Sequence, residues 1–506
     1  MRYTIISTSR KIEYELRNDF FSHLLTLPMS FYHEHRTGDL MARATNDLNA
    51  IRVIVGPGIM FSISNSMLFI FVISFMFYTN VKLTLFALLP LPLITLMSKF
   101  FLKHIFDIFK KVQEQYSDIT SKVQENIAGV RVVKAYVQEE SEAKEFETIN
   151  KTYLKLNLKL TKLRTILISS LTFLMGLGVI ILIWFGGILV VDNTIKIGDF
   201  VAFLAWLGML AWPMISFGWI MNMIQQGAAS MGRINEIMDT KSDIKDDDNT
   251  DHSLKTMEGA IEFCNINFAY NSQPSKVLEN INIKIPRGKT LAITGPTGSG
   301  KTTFVNLISR MIEPQEGRLL IDGIELKKYP LQVLRKNIGY VPQETFLFSE
   351  SITENISFGI ESPSLEEVKK AAVISTINRD LKDFPDEYET VIGERGITLS
   401  GGQKQRTALS RAIIRKPKIL ILDDAFSSVD SNTEENILDQ FRKFNSEQTN
   451  IIISQRISTI KNADIIIIMD EGKIIEQGTH KSLLKAEGFY ADLYRKQLLE
   501  EALEQL

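Results

Sequence analysis

Cysteine is nearly absent from this sequence, and its scarcity excludes two kinds of protein. Cys264 is the only cysteine among 506 residues, so neither an intramolecular disulfide nor a cysteine-rich metal site can form. A surplus of positive charge is also missing, and the formal net charge of −2 gives no global basic field that would favour nucleic acid as a partner. Residues Met1 to Asp19 are charged and lack the apolar core of a signal peptide.

Long uncharged runs fill much of the first half of the chain. A helix that crosses a bilayer needs about 20 mostly apolar residues. Four stretches predict such helices, at about residues 57–79, 83–104, 165–191 and 200–225. We therefore expect an all-α polytopic membrane domain over residues 1–235.

The connections between these stretches predict the topology. The segment from Lys99 to Arg164 and the residues before Pro57 are rich in Lys and Arg, whereas the other two connections are short. Basic residues favour the cytoplasmic side, so these segments and the second half of the chain are expected in the cytoplasm of a multi-pass cell-membrane protein. Apolar residues at spacings of three and four between Ile119 and Val130 predict long helices that extend into the cytoplasm.

The pattern changes after the last apolar run. Residues 236–257 carry a cluster of aspartates and predict a solvated linker. From Glu258 onward, short β runs such as 290–294 and 419–422 alternate with helical segments. This alternation predicts an α/β domain with a mainly parallel sheet over residues 258–497, followed by a C-terminal tail at 498–506.

A glycine-rich loop stands between the predicted strand 290–294 and a helix, which is the context of a phosphate loop. Its glycines allow backbone N–H groups to turn around phosphate oxygens, and the start of the helix adds its positive dipole end. Lys301 is expected to reach the β- and γ-phosphates of ATP, and Thr302 to place its hydroxyl on Mg²⁺. The predicted ATP-binding residues here are Gly295, Thr297, Gly298, Ser299, Gly300, Lys301, Thr302 and Thr303.

Two further motifs belong with this loop. The apolar run 419–422 ends in Asp423, whose carboxylate can hold the magnesium shell. The segment 399–403, which we call the signature segment, opens a helix that Ser400 can cap. Its glycines permit close approach to an anion, so it adds four predicted ATP-binding residues: Ser400, Gly401, Gly402 and Gln403.

In their order along the chain, the three motifs resemble those of the ABC ATPase family. Nearly the whole chain resembles one half of an ABC exporter of the multidrug or lipid type, with a membrane domain followed by a P-loop ATPase domain that has a helical subdomain. The resemblance implies that Tyr270 stacks on adenine and that Gln343 contacts Mg²⁺. Residues 394–396 and 427–430 resemble contact loops of the family, and residues 31–46 and 125–136 resemble its coupling segments.

The resemblance also implies a dimer. Two ATPase domains of this family close head to tail, and each ATP lies between the phosphate loop of one and the signature segment of the other. Closure would switch the membrane cavity between inward-facing and outward-facing states.

Two positions depart from the family pattern. The glutamate that polarises the attacking water is replaced by Asp424, whose carboxylate would lie about 1–1.5 Å short, and misplacements of this size can cost about 100-fold in rate. The switch histidine is replaced by Gln455, which can hydrogen-bond a phosphate but does not titrate near neutral pH. His480 follows a later strand and does not replace it. We therefore expect slow hydrolysis at this site, as in the degenerate half of a heterodimer, with a slow homodimer as the alternative.

The family has six membrane helices in each half, whereas four are predicted here. Residues 1–31 resemble the cytoplasmic end of the second helix, so the first helix and most of the second are expected to be missing. If the chain begins at Met1, poor assembly is expected, because an incomplete bundle leaves packing faces open.

The predicted function is therefore that of an exporter subunit that couples ATP binding and hydrolysis to efflux of amphipathic small molecules, lipids or peptides. Two alternatives remain open: a regulatory membrane subunit that binds ATP, and a non-transporting ABC ATPase. The spans contain no ionisable residue near their centres, so no proton or cation site is marked. Aromatic residues and methionines between 203 and 223 can line an apolar cavity or pack against lipid and other helices.

Overall fold

The computed structural model describes residues 2–270, 275–393, 399–444 and 447–504. The chain divides into two compact units, one built from residues up to Ser22 together with Gly38–Asp239, and one from His23–Thr37 together with the chain from Thr240 onward. The predicted contact loop at 394–396 lies outside the described residues.

Ten helices make up the first half of the described chain. They are α1 (Arg2–Leu24), α2 (Met29–Glu34), α3 (Thr37–Ala42), α4 (Leu48–Val53), α5 (Ile59–Thr79), α6 (Val81–Leu88), α7 (Pro90–Ala128), α8 (Val130–Ala135), α9 (Glu139–Val191) and α10 (Ile197–Met238). Two π-helical turns, Arg43–Asp47 and Ile54–Gly58, join α3, α4 and α5 into one continuous helix.

Three of these helices are long and apolar enough to cross a membrane, as judged from the described residues: Thr37–Thr79, Val81–Ala128 and Glu139–Val191. A fourth apolar stretch, Ile197–Leu210, opens α10. The second long helix consists of α6 and α7, and α7 begins at Pro90. Proline has no N–H, so it cannot donate the backbone hydrogen bond that would continue α6.

Two of the helices are much longer than a bilayer requires. Helix α9 has 53 residues, whereas about 20 suffice to span the hydrocarbon core. Its first half packs against α7 as an antiparallel hairpin, in which Lys122 pairs with Glu142 at 2.7 Å and with Glu145 at 2.8 Å. Helix α7 ends at Ala128, just before Gly129.

The core of the helical unit lies where α5, α6, α9 and α10 meet. Met76, Leu83, Leu182 and Phe203 are fully buried in it. Phe203 is therefore a packing residue, whereas Trp212 and Phe217 are exposed in this chain.

From Thr240 onward, the described residues of the second unit contain ten strands and nine α-helices. The strands are β1 (Ile261–Phe268), β2 (Leu278–Ile285), β3 (Thr290–Thr294), β4 (Glu316–Ile321), β5 (Ile324–Glu325), β6 (Ile338–Val341), β7 (Ile419–Asp423), β8 (Thr449–Ile453), β9 (Ile465–Asp470) and β10 (Lys473–Gly478). The helices are α11 (Lys301–Ile308), α12 (Leu331–Lys336), α13 (Ile352–Ser357), α14 (Leu365–Ile374), α15 (Gly401–Ile413), α16 (Ser431–Phe444), α17 (Ile457–Ile460), α18 (His480–Ala486) and α19 (Phe489–Glu504).

The strands form two sheets. The larger has the order β10-β9-β3-β8-β7-β6 and is parallel except for β10, as predicted. Because β3, β8 and β7 are neighbours and parallel, their carboxyl ends lie side by side at one edge, where ligands bind in open α/β sheets. The smaller sheet, β2-β1-β4-β5, is antiparallel and was not predicted from the sequence. Phe263 of β1 stacks on Phe304 of α11, with ring centroids 4.1 Å apart, and so joins the smaller sheet to the core.

The segment predicted as a solvated linker is packed onto the second unit. Its first three residues, 236–238, end α10, and the rest has no helix or strand and is mostly exposed, although Thr250 and Met257 are buried. Asp246 accepts a hydrogen bond from the N–H of Leu331 at 2.9 Å, and the N–H of Asp251 donates to the carbonyl of Lys328 at 2.8 Å. The segment is therefore mostly exposed, as a linker is, but it also makes specific contacts with the second unit.

The chain end also differs from the sequence prediction. Helix α19 continues to Glu504, so the described residues show no separate tail that begins at 498.

Candidate nucleotide-binding site

The glycine loop follows β3 directly and leads into α11. Gly295, Gly298 and Gly300 have φ values of 144°, 84° and 94°, a region that disfavours side chains. A Cβ atom on Gly295 would lie 2.0 Å from the carbonyl oxygen of Met469. Glycine is therefore required at 295 both by the backbone conformation and by the close approach of β9.

Lys301 folds over this loop. Its Nζ donates to the carbonyl oxygen of Gly295 at 2.9 Å, to that of Pro296 at 2.6 Å and to Oγ of Ser299 at 3.3 Å. Burial lowers the pKa of Lys301, and the carboxylates of Asp423 and Asp424 oppose that shift. The loop thus presents a cation at the positive end of α11, which suits a phosphate group.

Asp423 lies at the end of β7, beside the start of α11. Burial and the neighbouring Asp424 raise the pKa of Asp423, whereas the Thr302 hydroxyl and Lys301 act to lower it. Its Oδ2 atom is buried, and no described residue supplies a hydrogen bond to it. A buried carboxylate oxygen without a partner, next to a threonine hydroxyl, fits the oxygen coordination that Mg²⁺ prefers.

A site for a softer metal is not present in the described residues. They contain no group of three or more His, Cys, Asp or Glu side chains that could hold a metal ion.

Asp424 adopts the left-handed conformation, with φ of 50°, which Asp tolerates better than most residues. Its N–H donates to the carbonyl of Ile453 at 3.0 Å and so connects β7 to β8. Burial raises the pKa of Asp424, and the positive charges of Arg456 and Lys301 partly offset this effect. The ionised form of this carboxyl is therefore less favoured than that of an exposed aspartate.

Gln455 and Arg456 follow β8 in a turn that we call the switch turn, residues 454–457. Gln455 is exposed. The guanidinium of Arg456 donates to the carbonyl of Val429 at 3.0 Å and pairs with Glu434 at 3.1 Å. Arg456 therefore fastens the switch turn to the loop after Asp424, a role that the sequence analysis missed.

Most of the predicted site residues line one cavity, which has a volume of 370 Å³. In its wall, the hydroxyl of Tyr270 lies 3.1 Å from the hydroxyl of Thr303. The predicted residues that line it are Tyr270, Thr297, Gly298, Gly300, Lys301, Thr302, Thr303, Gln343, Asp423, Asp424 and Gln455. Val277, Ile453 and Ser454 also line the cavity; they were not among the predicted site residues, because they belong to no nucleotide-binding motif.

The signature segment lies elsewhere in this chain. Ser400 caps α15 as predicted, since its Oγ accepts a hydrogen bond from the N–H of Gln403 at 3.3 Å. In turn, Oε1 of Gln403 accepts a hydrogen bond from the N–H of Ser400 at 2.9 Å. A Cβ atom on Gly402 would lie 2.7 Å from the carbonyl oxygen of Ser428. Residues 400–403 do not line the cavity that holds Lys301.

Comparison with protein families gives two matches. The ABC transporter transmembrane region matches residues 1–214, and the ABC transporter family matches residues 278–427.

Curated relatives cover nearly the whole chain. A probable multidrug resistance ABC transporter ATP-binding/permease protein, YheI of Bacillus subtilis (strain 168), is 37% identical over 96% of this chain and 83% of its own length. The multidrug resistance-like ATP-binding protein MdlA of Buchnera aphidicola subsp. Schizaphis graminum is 35% identical over 99% of this chain and 86% of its own length. An ATP-dependent lipid A-core flippase of Desulfotalea psychrophila is 35% identical over 96% and 84%, respectively.

A solved structure has the same fold. The structure of a bacterial Atm1-family ABC exporter with ATP bound superposes on this chain with a TM-score of 0.81 and a sequence identity of 26%. The superposition covers 97% of this chain and 86% of the exporter chain.

Proposed function

This chain belongs to the ABC transporters, as an exporter-type transmembrane region fused to an ABC ATPase domain, and from that premise we propose that it is the slowly hydrolysing half of a heterodimeric exporter. It is a membrane protein of the multidrug exporter and lipid flippase type, and its ATPase domain is cytoplasmic. The pairing, the slow site and the individual residue roles are the proposal.

ATP binding would use the residues that line the cavity. Lys301 and the backbone N–H groups of the glycine loop bind the phosphates, and Tyr270 offers its ring to adenine. Thr302, Asp423 and Gln343 hold Mg²⁺, which when bound neutralises phosphate charge. The unpartnered Oδ2 atom of Asp423 supports this assignment.

The observation that carries the slow-site proposal is that Asp424 and Gln455 both line the cavity that contains Lys301. The two departures from the family pattern therefore fall in one site rather than in unrelated places. A general base must be ionised and within reach of the attacking water. Asp424 has the shorter side chain, and Gln455 cannot accept a proton near neutral pH.

The signature segment would serve the partner. Ser400 to Gln403 form an intact, capped helix start, and in this chain they stand away from its own cavity. A capped helix start with exposed glycine backbone suits an anion brought by another molecule. The partner's site would then be the fast one.

The transported substrate is proposed from the relatives. Their names include multidrug resistance proteins and a lipid A-core flippase, so we propose amphipathic small molecules or lipids as the substrate class. A slow homodimer and a regulatory ATP-binding subunit are the competing proposals.

The experiment compares ATPase turnover of the chain alone and with the second half-transporter. We expect little turnover alone and a large increase in the complex. In the complex, Ser400→Arg should abolish most turnover, because Ser400 is exposed and would face the partner's nucleotide. Lys301→Ala should leave most turnover intact.

The outcomes separate the alternatives. Vigorous turnover by the chain alone would contradict the heterodimer. Equal loss from Ser400→Arg and Lys301→Ala would favour two equivalent sites. Unchanged binding of ATP to the Ser400→Arg chain serves as the folding control.

A further inference from the structure

Within the described residues, the side-chain hydrogen bonds from helix α19 to the switch turn come from one residue, Gln497. Nε2 of Gln497, on α19, donates to the carbonyl oxygen of Gln455 at 2.6 Å. Oε1 of the same amide accepts from the N–H of Ile457 at 2.8 Å. One amide therefore satisfies two main-chain groups that flank Arg456.

The chemistry of these two bonds suits an amide. The carbonyl of Gln455 needs a donor and the N–H of Ile457 needs an acceptor, and the side-chain amide of Gln497 offers both on one planar group. The rest of the turn is held from other sides. The N–H of Ser454 donates to Ile293 of β3, and the N–H of Arg456 donates to Oγ of Ser454.

Helix α19 is itself firmly anchored, so it can act as a support. Tyr490 is fully buried in a cluster with Ile457, Ile460 and Leu483, and its hydroxyl lies 2.7 Å from Nδ1 of His480. The N–H of Tyr490 also donates to Glu476 of β10. A polar contact made from a rigid element fixes geometry better than one made from a loop.

We propose that Gln497 is a positioning residue of the nucleotide site, which holds the switch turn so that the side chain of Gln455 faces the γ-phosphate of ATP. The proposal rests on the role of Gln455 given under the proposed function. It assigns a part of the nucleotide site to a helix that lies outside every nucleotide-binding motif of the sequence. Gln497 does not line the cavity and acts only through the backbone of the switch turn.

The proposed positioning role of Gln497 predicts a change in the preference for ATP over ADP, which a merely structural contact would not cause. Gln455 would distinguish ATP from ADP, because only ATP carries the γ-phosphate. Loss of the Gln497 contacts should therefore weaken ATP binding more than ADP binding. A general loosening of the fold would weaken both equally.

The test measures equilibrium affinity for fluorescent ATP and ADP analogues with Mg²⁺ in the full chain in lipid nanodiscs. We expect Gln497→Ala to reduce the preference for ATP over ADP by about two- to tenfold, the range for one lost hydrogen bond. Gln455→Ala should give a similar reduction. Combining the two should add little, since both act through one contact.

Two further variants keep the test decisive. Gln497→Glu keeps the acceptor for Ile457 and loses the donor to Gln455, so it should lower the preference even if Gln497→Ala misfolds. Lys496→Ala, at the exposed neighbouring position on α19, should change nothing.

The possible failures are distinguishable. If Gln455→Ala lowers the ATP preference while Gln497→Ala and Gln497→Glu leave it unchanged, the inference about Gln497 is wrong and the proposed role of Gln455 stands. If Gln455→Ala leaves the preference unchanged, the proposed γ-phosphate contact is wrong and the inference falls with it.

Discussion

At the scale of single residues, the site combines an intact binding surface with two altered positions. Lys301, Thr302 and Asp423, the proposed phosphate and metal ligands, line one cavity together with Asp424 and Gln455, which replace the residue types expected for water activation. Restoring the family residues should therefore restore hydrolysis without new binding contacts.

The double variant Asp424→Glu with Gln455→His should raise turnover at this site by about 10- to 100-fold, since a misplaced base can cost about that much. The measurement is single-turnover ATP hydrolysis in the complex. Asp248→Glu, at an exposed aspartate that does not line the cavity, is the matched control and should leave the rate unchanged. A double variant as slow as the natural chain would show that the two positions do not limit hydrolysis.

The pH dependence of Mg²⁺ binding tests the environment of Asp423. Burial raises the pKa of this carboxyl, so its protonated form persists to higher pH than in an ordinary aspartate. Mg²⁺ binds the ionised form, so the Mg²⁺-dependent part of the ATP affinity should fall as the pH drops toward that raised pKa. Titration calorimetry with and without Mg²⁺ measures this difference.

Asp423→Asn should remove both the Mg²⁺ effect and its pH dependence. Asp430→Asn is the control, because hydrogen bonds from Thr433 lower the pKa of Asp430. An Mg²⁺ effect that keeps its pH profile in Asp423→Asn would place the metal on another ligand.

Residues of the candidate site could be predicted from the sequence where their chemistry belongs to a recognisable motif. Lys301 and Asp423 were predicted because phosphate and metal binding demand their residue types. Arg456 and Gln497 act on backbone groups, and their partners are identified only once the fold brings distant segments together. No spacing rule along the chain links position 497 to position 455.

At the scale of elements, strand existence was easier to predict than strand pairing. The apolar runs at 290–294 and 419–422 marked β3 and β7, and their alternation with helices implied the parallel sheet. The antiparallel sheet was missed because the Asp322-Gly323 turn that joins β4 to β5 was not used as a hairpin signal, and because no local signal indicates that β1 pairs with β4. Strand β1 pairs with both β2 and β4, and β4 lies about 50 residues further along the chain.

The segment after α10 gives a prediction about an element without regular structure. Asp246 accepts from the N–H of Leu331 at the start of α12. Asp246→Ala should lower the stability of the second unit by about 0.5–1.5 kcal/mol, as expected when a hydrogen bond is lost. Thermal unfolding of the full chain, followed by a probe in the second unit, measures the change.

Asp248→Ala is the matched control, since Asp248 is an exposed aspartate two positions away. Equal effects of the two substitutions would mean that charge, rather than the contact with Leu331, determines stability.

At the scale of the whole molecule, the helical unit exposes apolar surface that a soluble protein would bury. Trp184 is 69% exposed and Phe173 is 66% exposed on α9, and both lie in the apolar part of that helix. Exposed apolar area of this kind marks lipid or another membrane helix as the neighbour. The orientation of the unit in the membrane then follows from its charges.

The last prediction tests the orientation of the helical unit in the membrane by cysteine labelling. Because Cys264 is the only cysteine, Cys264→Ser gives a chain without cysteine, into which a single new cysteine can be introduced at a chosen position. Thr194 lies between α9 and α10, and Tyr136, which is 73% exposed, lies between α8 and α9. The turn at Tyr136 lies within a long segment rich in basic residues, so the positive-inside rule places Tyr136 in the cytoplasm and Thr194 outside the cell.

Thr194→Cys should therefore react with a membrane-impermeant maleimide in intact cells, whereas Tyr136→Cys should react only after the cells are opened. The reverse pattern would invert the topology and contradict the cytoplasmic position of the ATPase domain, while labelling of both in intact cells would show that the sequence between them does not cross the membrane.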